Sequence, residues 1–292
     1  MTIRYAFYPG CIIQGRFPHL ENSARMVTKH LGIQLENMEN TTCCPEPFSI
    51  QSIDRLTHLS IAARNISVAE EIDLNIMVLC NGCLSTLSRV NTILKTDYKL
   101  RNSVNLVLGE TNHKYKGEVE VKHLYQVLIE DIGTEKIKEH VVNPLKDVKV
   151  AVHYGCHLLD PAFMTKLDEV NQPKGFEKLV EATGVESVTY EKQYTCCGGP
   201  MRDINDKISR EALIEKLEAV TAAGADFLAV LCPLCYTQYD LGQSLEQRKT
   251  GKEYNIPVLY YHELLALAMG YSGKQIGLFE HSITKGFEKF AT

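Results

Sequence analysis

Apolar positions along this chain follow two rhythms. Short runs with strand-like length and composition occupy residues 4–8, 34–38, 75–79, 148–153, 188–194 and 227–231. Between them the apolar residues recur every three or four positions. Leu20, Ala24, Val27 and Leu31 lead to Gly32, and Ile204, Ile208, Leu213, Leu217 and Val220 lead to Gly224. That spacing predicts amphipathic helices closed by glycine. The order β-α-β-α-β-α is thus written twice. It predicts an α/β protein of two similar tandem domains, residues 1–145 and 146–292, each with a mostly parallel sheet flanked by helices. The boundary falls near residues 143–146. Loops converge beyond the carboxyl ends of parallel strands, so a metal or ligand site belongs at that edge.

Composition narrows the functional classes. With 292 residues and 45% hydrophobic content the chain can bury a core, and a formal charge of -5 supplies no basic field for nucleic acid. No window approaches the roughly 20 apolar residues of a membrane span, and the first ten residues lack a signal-peptide pattern. The expected location is the cytoplasm. There, ten cysteines point to metal binding or redox work rather than disulfides.

The cysteines repeat one pattern. Cys11, Cys43, Cys44, Cys80 and Cys83 are separated by 31, 0, 35 and 2 residues, and Cys156, Cys196, Cys197, Cys232 and Cys235 by 39, 0, 34 and 2. The flanks agree: Tyr8-Pro9-Gly10-Cys11 is similar to Tyr154-Gly155-Cys156, and Val78-Leu79-Cys80 to Val230-Leu231-Cys232. A period near 150 residues is too long for a solenoid, so each copy is expected to carry its own core. An adjacent pair in a regular strand would point to opposite faces, so Cys43-Cys44 and Cys196-Cys197 require loops. Pro45 and Pro47, and Gly198, Gly199 and Pro200, supply them.

Five sulfurs per half exceed the four that a structural zinc or an ordinary four-iron cluster takes. The fifth bridges irons in a non-cubane cluster, serves as a redox thiol, or is a small buried hydrophobe. Iron–sulfur in both halves, zinc in at least one, and metal-free thiol chemistry are the three readings. His153 and His157, flanking Cys156, are candidate catalytic proton donors. His123 and His262 read as capping or surface residues, and Arg16 and Arg202, following cysteine loops, as candidate anion contacts. Residues 271–292 lack a strong pattern and read as a docking tail or a frayed end.

This cysteine pattern resembles the CCG cysteine-rich domain family over nearly the whole chain. Within it, two complete copies and the run His153-Tyr154-Gly155-Cys156-His157 are similar to the B subunits of heterodisulfide reductases of methanogenic archaea. The resemblance implies one non-cubane 4Fe–4S cluster on the five cysteines of each half. It also implies reduction of the coenzyme M–coenzyme B disulfide between the clusters, in methanogenesis. It implies partners too: a ferredoxin-like iron–sulfur subunit, a flavin subunit and a hydrogenase. The chain itself has neither a ferredoxin-like cysteine run nor a dinucleotide fingerprint. Pro45 stands where the family has glycine. The alternatives are a related subunit of lactate, glycolate or thiol:fumarate chemistry, or a zinc-stabilised scaffold.

Overall fold

The computed structural model describes residues 3–46, 49–160 and 172–291; Pro47 lies outside them. Each half holds a four-stranded parallel sheet. β1 (Ile3–Tyr8), β2 (Ile33–Asn37), β3 (Ile76–Val78) and β4 (Val121–His123) are ordered β2-β1-β3-β4. β5 (Lys149–His153), β6 (Glu186–Val188), β7 (Phe227–Val230) and β8 (Val258–Tyr260) repeat that order as β6-β5-β7-β8. Helices cover both faces, so β3 and β7 are buried at every position. The α/β class and the tandem parallel sheets follow the hydrophobic pattern. In each sheet the chain leaves the first strand toward one side and returns through the third on the other. A crevice opens there, outside the strand ends.

Three expectations need correction. Each half has a fourth strand, β4 or β8, that the pattern did not announce. The strand expected at 188–194 lies at Glu186–Val188 instead; the chain then turns, with Lys192 at a φ of 69° and the Lys192 and Gln193 carbonyls bonded to a side chain rather than to a neighbouring strand. Lys216, fully buried, donates to the carbonyls of Lys192, Gln193 (3.2 Å) and Thr195 (3.3 Å). The helix expected from Ile204 begins at Asp206, where the Asn205 side chain caps the Ile208 N–H, leaving Ile204 and Ile208 exposed.

Nor do the halves keep separate cores. Buried apolar residues form one continuous cluster through both, because helix Tyr261–Ala268, buried along its whole length, packs against helix Pro18–His30 of the first half. The C-terminal residues are packed rather than frayed. Ile276, Leu278 and Phe287 are buried, Phe287 stacks on Phe227, and Asp240 accepts the N–H groups of Ser282 and Ile283. No helix among the described residues is long and apolar enough to cross a membrane.

Candidate metal centre

The crevices collect all ten cysteines. Cys11 follows β1 and opens helix Cys11–Arg16, Cys43 and Cys44 lie in the loop after β2, and Cys80 immediately precedes helix Asn81–Thr96, whose first turn holds Cys83. The second half repeats this. Cys156 follows β5, Cys196 and Cys197 follow β6, and Cys232 immediately precedes helix Pro233–Tyr239, which carries Cys235. Backbone N–H groups in the first turn of helix Pro233–Tyr239 help to lower the pKa of Cys232, and the Gly198 and Gly199 N–H groups donate to Cys196 Sγ (3.4 Å) and Cys197 Sγ (3.3 Å).

The sulfurs form one connected series. Cys11 Sγ lies 3.8 Å from Cys43 Sγ, and the contacts continue through Cys44 and Cys83 to Cys80. Cys156 Sγ lies 3.9 Å from Cys196 Sγ, and that series runs through Cys197 and Cys235 to Cys232. The two quintets meet where Cys80 bonds Cys232. Cys11, Cys43, Cys156 and Cys196 are exposed, and the six between them are buried.

Neighbouring side chains hold this geometry. Gly10 and Gly155, each just before its half's first cysteine, adopt φ of 81° and 79°. A Cβ would stand 3.1 Å from Cys83 Sγ at the first, and 2.6 Å from Asn81 Nδ2 and 3.5 Å from Cys235 Sγ at the second. Asn65 anchors the first cysteine pair by accepting the Thr42 N–H (2.9 Å) and donating to the Cys43 carbonyl (3.0 Å). Lys216 does the corresponding work before Cys196.

The halves also brace each other reciprocally. His123 and Tyr260 end β4 and β8 in matching register. His123 Nε2 bonds the Leu231 carbonyl at 3.0 Å, and the Tyr260 hydroxyl donates to the Leu79 carbonyl at 2.8 Å. Each carbonyl directly precedes the CxxC of the opposite half. His123 Nδ1 accepts the Tyr125 N–H, so Nε2 carries the hydrogen. Asn81 Nδ2 adds a bond to the Tyr154 carbonyl at 2.7 Å.

Crowding dictates which thiols ionise. Hydrogen bonds from Cys43 and Cys83 bring Cys44 down to about 5, and those from Cys156 and Cys197 bring Cys196 down to about 2. Bonds from Cys235 and Cys80 lower Cys232 as well. Their neighbours are pushed up: Cys197 to about 12 by Cys196, with Cys80, Cys83 and Cys235 raised by the sulfurs they contact. All five thiolates of a half can coexist only around a cationic inorganic core. The donor set therefore fits an iron–sulfur group better than a four-coordinate ion.

His153 ends β5 where Tyr8 ends β1, so it is His153, not Tyr154, that matches Tyr8. Both are buried. A ring nitrogen of His153 and the sulfurs of Cys197 and Cys235 lie within 4.8 Å of one another, and burial pushes its pKa down to about 3. His157, half-buried and also shifted down by burial, lies in the field of Cys232, Cys196 and Arg89. Its counterpart Ile12 lines a cleft of about 410 Å³ with Cys11, Gly15, Arg16, Leu234 and Thr237, drawn from both halves. Arg202 instead donates to Gln238 Oε1 at 2.6 Å. His123 does cap a helix, but neither it nor His262 is on the surface: each is about 1% exposed. Lys216 and Asn65 escaped sequence reasoning, since an isolated Lys or Asn on a helix carries no signal.

The family model for the cysteine-rich CCG domain matches residues 5–88 and 150–240. The chain is 38% identical over 282 residues to the B subunit of a ferredoxin/F(420)H(2)-dependent CoB-CoM heterodisulfide reductase of Methanosarcina acetivorans, covering 96% of this chain and 94% of that one. It is 31% identical over 278 residues to an 8-methylmenaquinol:fumarate reductase membrane anchor subunit of Wolinella succinogenes, covering 95% and 96%. A crystal structure of a hypothetical protein from Helicobacter pylori superposes with a TM-score of 0.75 at 15% identity, covering 97% of this chain and 52% of that one, a likeness of fold.

Proposed function

The chain belongs to the CCG cysteine-rich domain family as an iron–sulfur subunit of a multi-subunit oxidoreductase, and we propose that it is the catalytic subunit of a heterodisulfide reductase. Its substrate is the disulfide of coenzyme M and coenzyme B, which takes up two electrons and two protons to give two thiols. Cys11, Cys43, Cys44, Cys80 and Cys83 hold one 4Fe–4S cluster, and Cys156, Cys196, Cys197, Cys232 and Cys235 the other. Five sulfurs apiece favour the non-cubane form. When bound, each cluster supplies one electron.

The observation that carries this reading is the meeting of the two quintets at Cys80 and Cys232, with a cleft made by both halves opening at Cys11, the outer end of the first series. Two one-electron centres at one joint suit a single S–S bond. Arg16 attracts the anionic groups of the substrate. His157 delivers a proton to a departing thiolate, drawing it from solvent. His153 is buried and neutral, so it positions the sulfurs of Cys197 and Cys235 from behind rather than exchanging protons. Electrons arrive from a ferredoxin-like subunit fed by a flavin subunit and a hydrogenase, in the cytoplasm. Residues 1–145 and 146–292 are the two domains.

Anaerobic protein is expected to carry about four irons per half and to turn over the mixed disulfide with a reduced viologen dye. Full iron without such turnover overturns the assignment. Fumarate reduction driven by a menaquinol in its place would support the second reading, which the 31% identity to the Wolinella succinogenes subunit favours.

A further inference from the structure

We infer that His19, Glu263 and His281 form a buried three-ligand divalent-metal site, separate from the cysteines, that takes zinc or a similar ion and clamps the two halves together. One ring nitrogen of each histidine and one carboxylate oxygen lie within 4.8 Å of one another. Glu263 and His281 side chains are fully inaccessible, and His19 Nε2 is buried with no hydrogen-bond partner. A tetrahedral zinc needs its ligand atoms about 3.3 Å apart, so the set closes with small side-chain adjustments.

The hydrogen bonds around the site call for a positive charge, which either a proton on His281 beside Glu263 or a metal ion supplies. His281 Nδ1 lies 2.9 Å from the Val258 carbonyl, which can only accept, so Nδ1 carries a hydrogen. Its Nε2 then faces Glu263 Oε1 at 2.9 Å, lone pair against carboxylate unless a positive charge lies between or beside them. A histidine whose outer nitrogen donates to a carbonyl is the usual arrangement behind a metal ligand.

The internal repeat shows that the carboxylate is not needed for local structure. Glu263 Oε2 accepts the Tyr260 N–H at 2.8 Å as part of a capping box. In the first half the uncharged Gln126 does the same for the His123 N–H, also at 2.8 Å. The second half therefore buries a charge where an amide suffices, and that charge faces two imidazoles.

The position defines what the ion would do. His19 belongs to helix Pro18–His30 of the first half, Glu263 to helix Tyr261–Ala268 of the second, and His281 to the C-terminal segment. Gly277 admits His19 to this corner, since a Cβ there would stand 2.4 Å from His19 Cβ. Two imidazoles and a carboxylate suit zinc, with a water as fourth ligand.

The test uses the full chain with its iron intact, exposed anaerobically to zinc chloride and freed of excess. Zinc and iron are then counted separately, and the zinc X-ray absorption fine structure is recorded on the wild type. The expected result is about one zinc per chain, with a nitrogen and oxygen shell near 2.0 Å and no sulfur shell near 2.3 Å. His19→Ala and Glu263→Gln should each lower zinc at least tenfold and leave iron unchanged; the glutamine keeps the cap. Wild-type zinc at trace level, meaning that a proton alone joins Glu263 and His281, overturns the proposal. So does a sulfur shell, which puts the zinc on cysteines, and so does zinc retained in His19→Ala.

Discussion

Replacing Tyr260 by Phe removes a single oxygen from the joint between the halves. That hydroxyl is buried and donates to the carbonyl of Leu79, one residue before Cys80. Its loss forfeits a net hydrogen bond of about 1 kcal/mol and weakens the satisfaction of a buried carbonyl, for about 2 kcal/mol altogether. At about 2.1 cal/mol/K per residue, a chain of 292 residues has an unfolding entropy near 0.6 kcal/mol/K, so Tm should fall by about 3 °C. His123→Phe is the internal standard. It removes both the bond to the Leu231 carbonyl and the cap on the Tyr125 N–H, for about 3 kcal/mol and a fall of about 5 °C. Anaerobic thermal unfolding followed by far-ultraviolet circular dichroism measures both. A fall below about 1 °C for Tyr260→Phe, or a smaller effect for His123→Phe than for Tyr260→Phe, would refute reciprocal bracing as a source of stability.

Lys216→Met leaves the carbonyls of Lys192, Gln193 and Thr195 without their donor. About 3 kcal/mol of stability should go with it, and iron analysis should show about half of the iron lost, the share of one cluster. Gly155→Ala puts a methyl 2.6 Å from Asn81 Nδ2 at a φ of 79°; denaturant titration should show a loss of about 2 kcal/mol or more, with iron again reduced. Burial holds His157 below the ordinary histidine value, so its protonated fraction grows as pH falls. kcat/KM for the disulfide should rise as pH is lowered from neutrality. His157→Gln should cut it about 100-fold and flatten the profile, and an unchanged profile would remove His157 from the proton path.

What could be read from the sequence was whatever one half encodes by itself. Strands preceding the cysteines were visible because their apolar runs end at Cys or Gly-Cys, as at Tyr8-Pro9-Gly10-Cys11. The need for loops at Cys43-Cys44 and Cys196-Cys197 follows from strand geometry alone. The hidden features depend on partners distant in sequence. β4 and β8 run straight into helices at Leu124 and Tyr261, with no cysteine loop to mark their ends. Residues 189–194 look strand-like until Lys216, on a helix two elements later, claims the carbonyls of Lys192 and Gln193. His123 was readable as a cap, but not as a bond to Leu231 across the joint. Treating the halves as self-contained domains concealed this whole class of contact, because duplication preserves the pattern within each copy while the braces run between copies. Cys80 and Cys232 show the consequence most directly. Each completes the sulfur set of its own half and touches the other's, yet the carbonyl just before each is held by the opposite half's fourth strand. Either centre therefore takes its final shape only when both halves are assembled, so the joint that unites the two sites is the same structure that forms them.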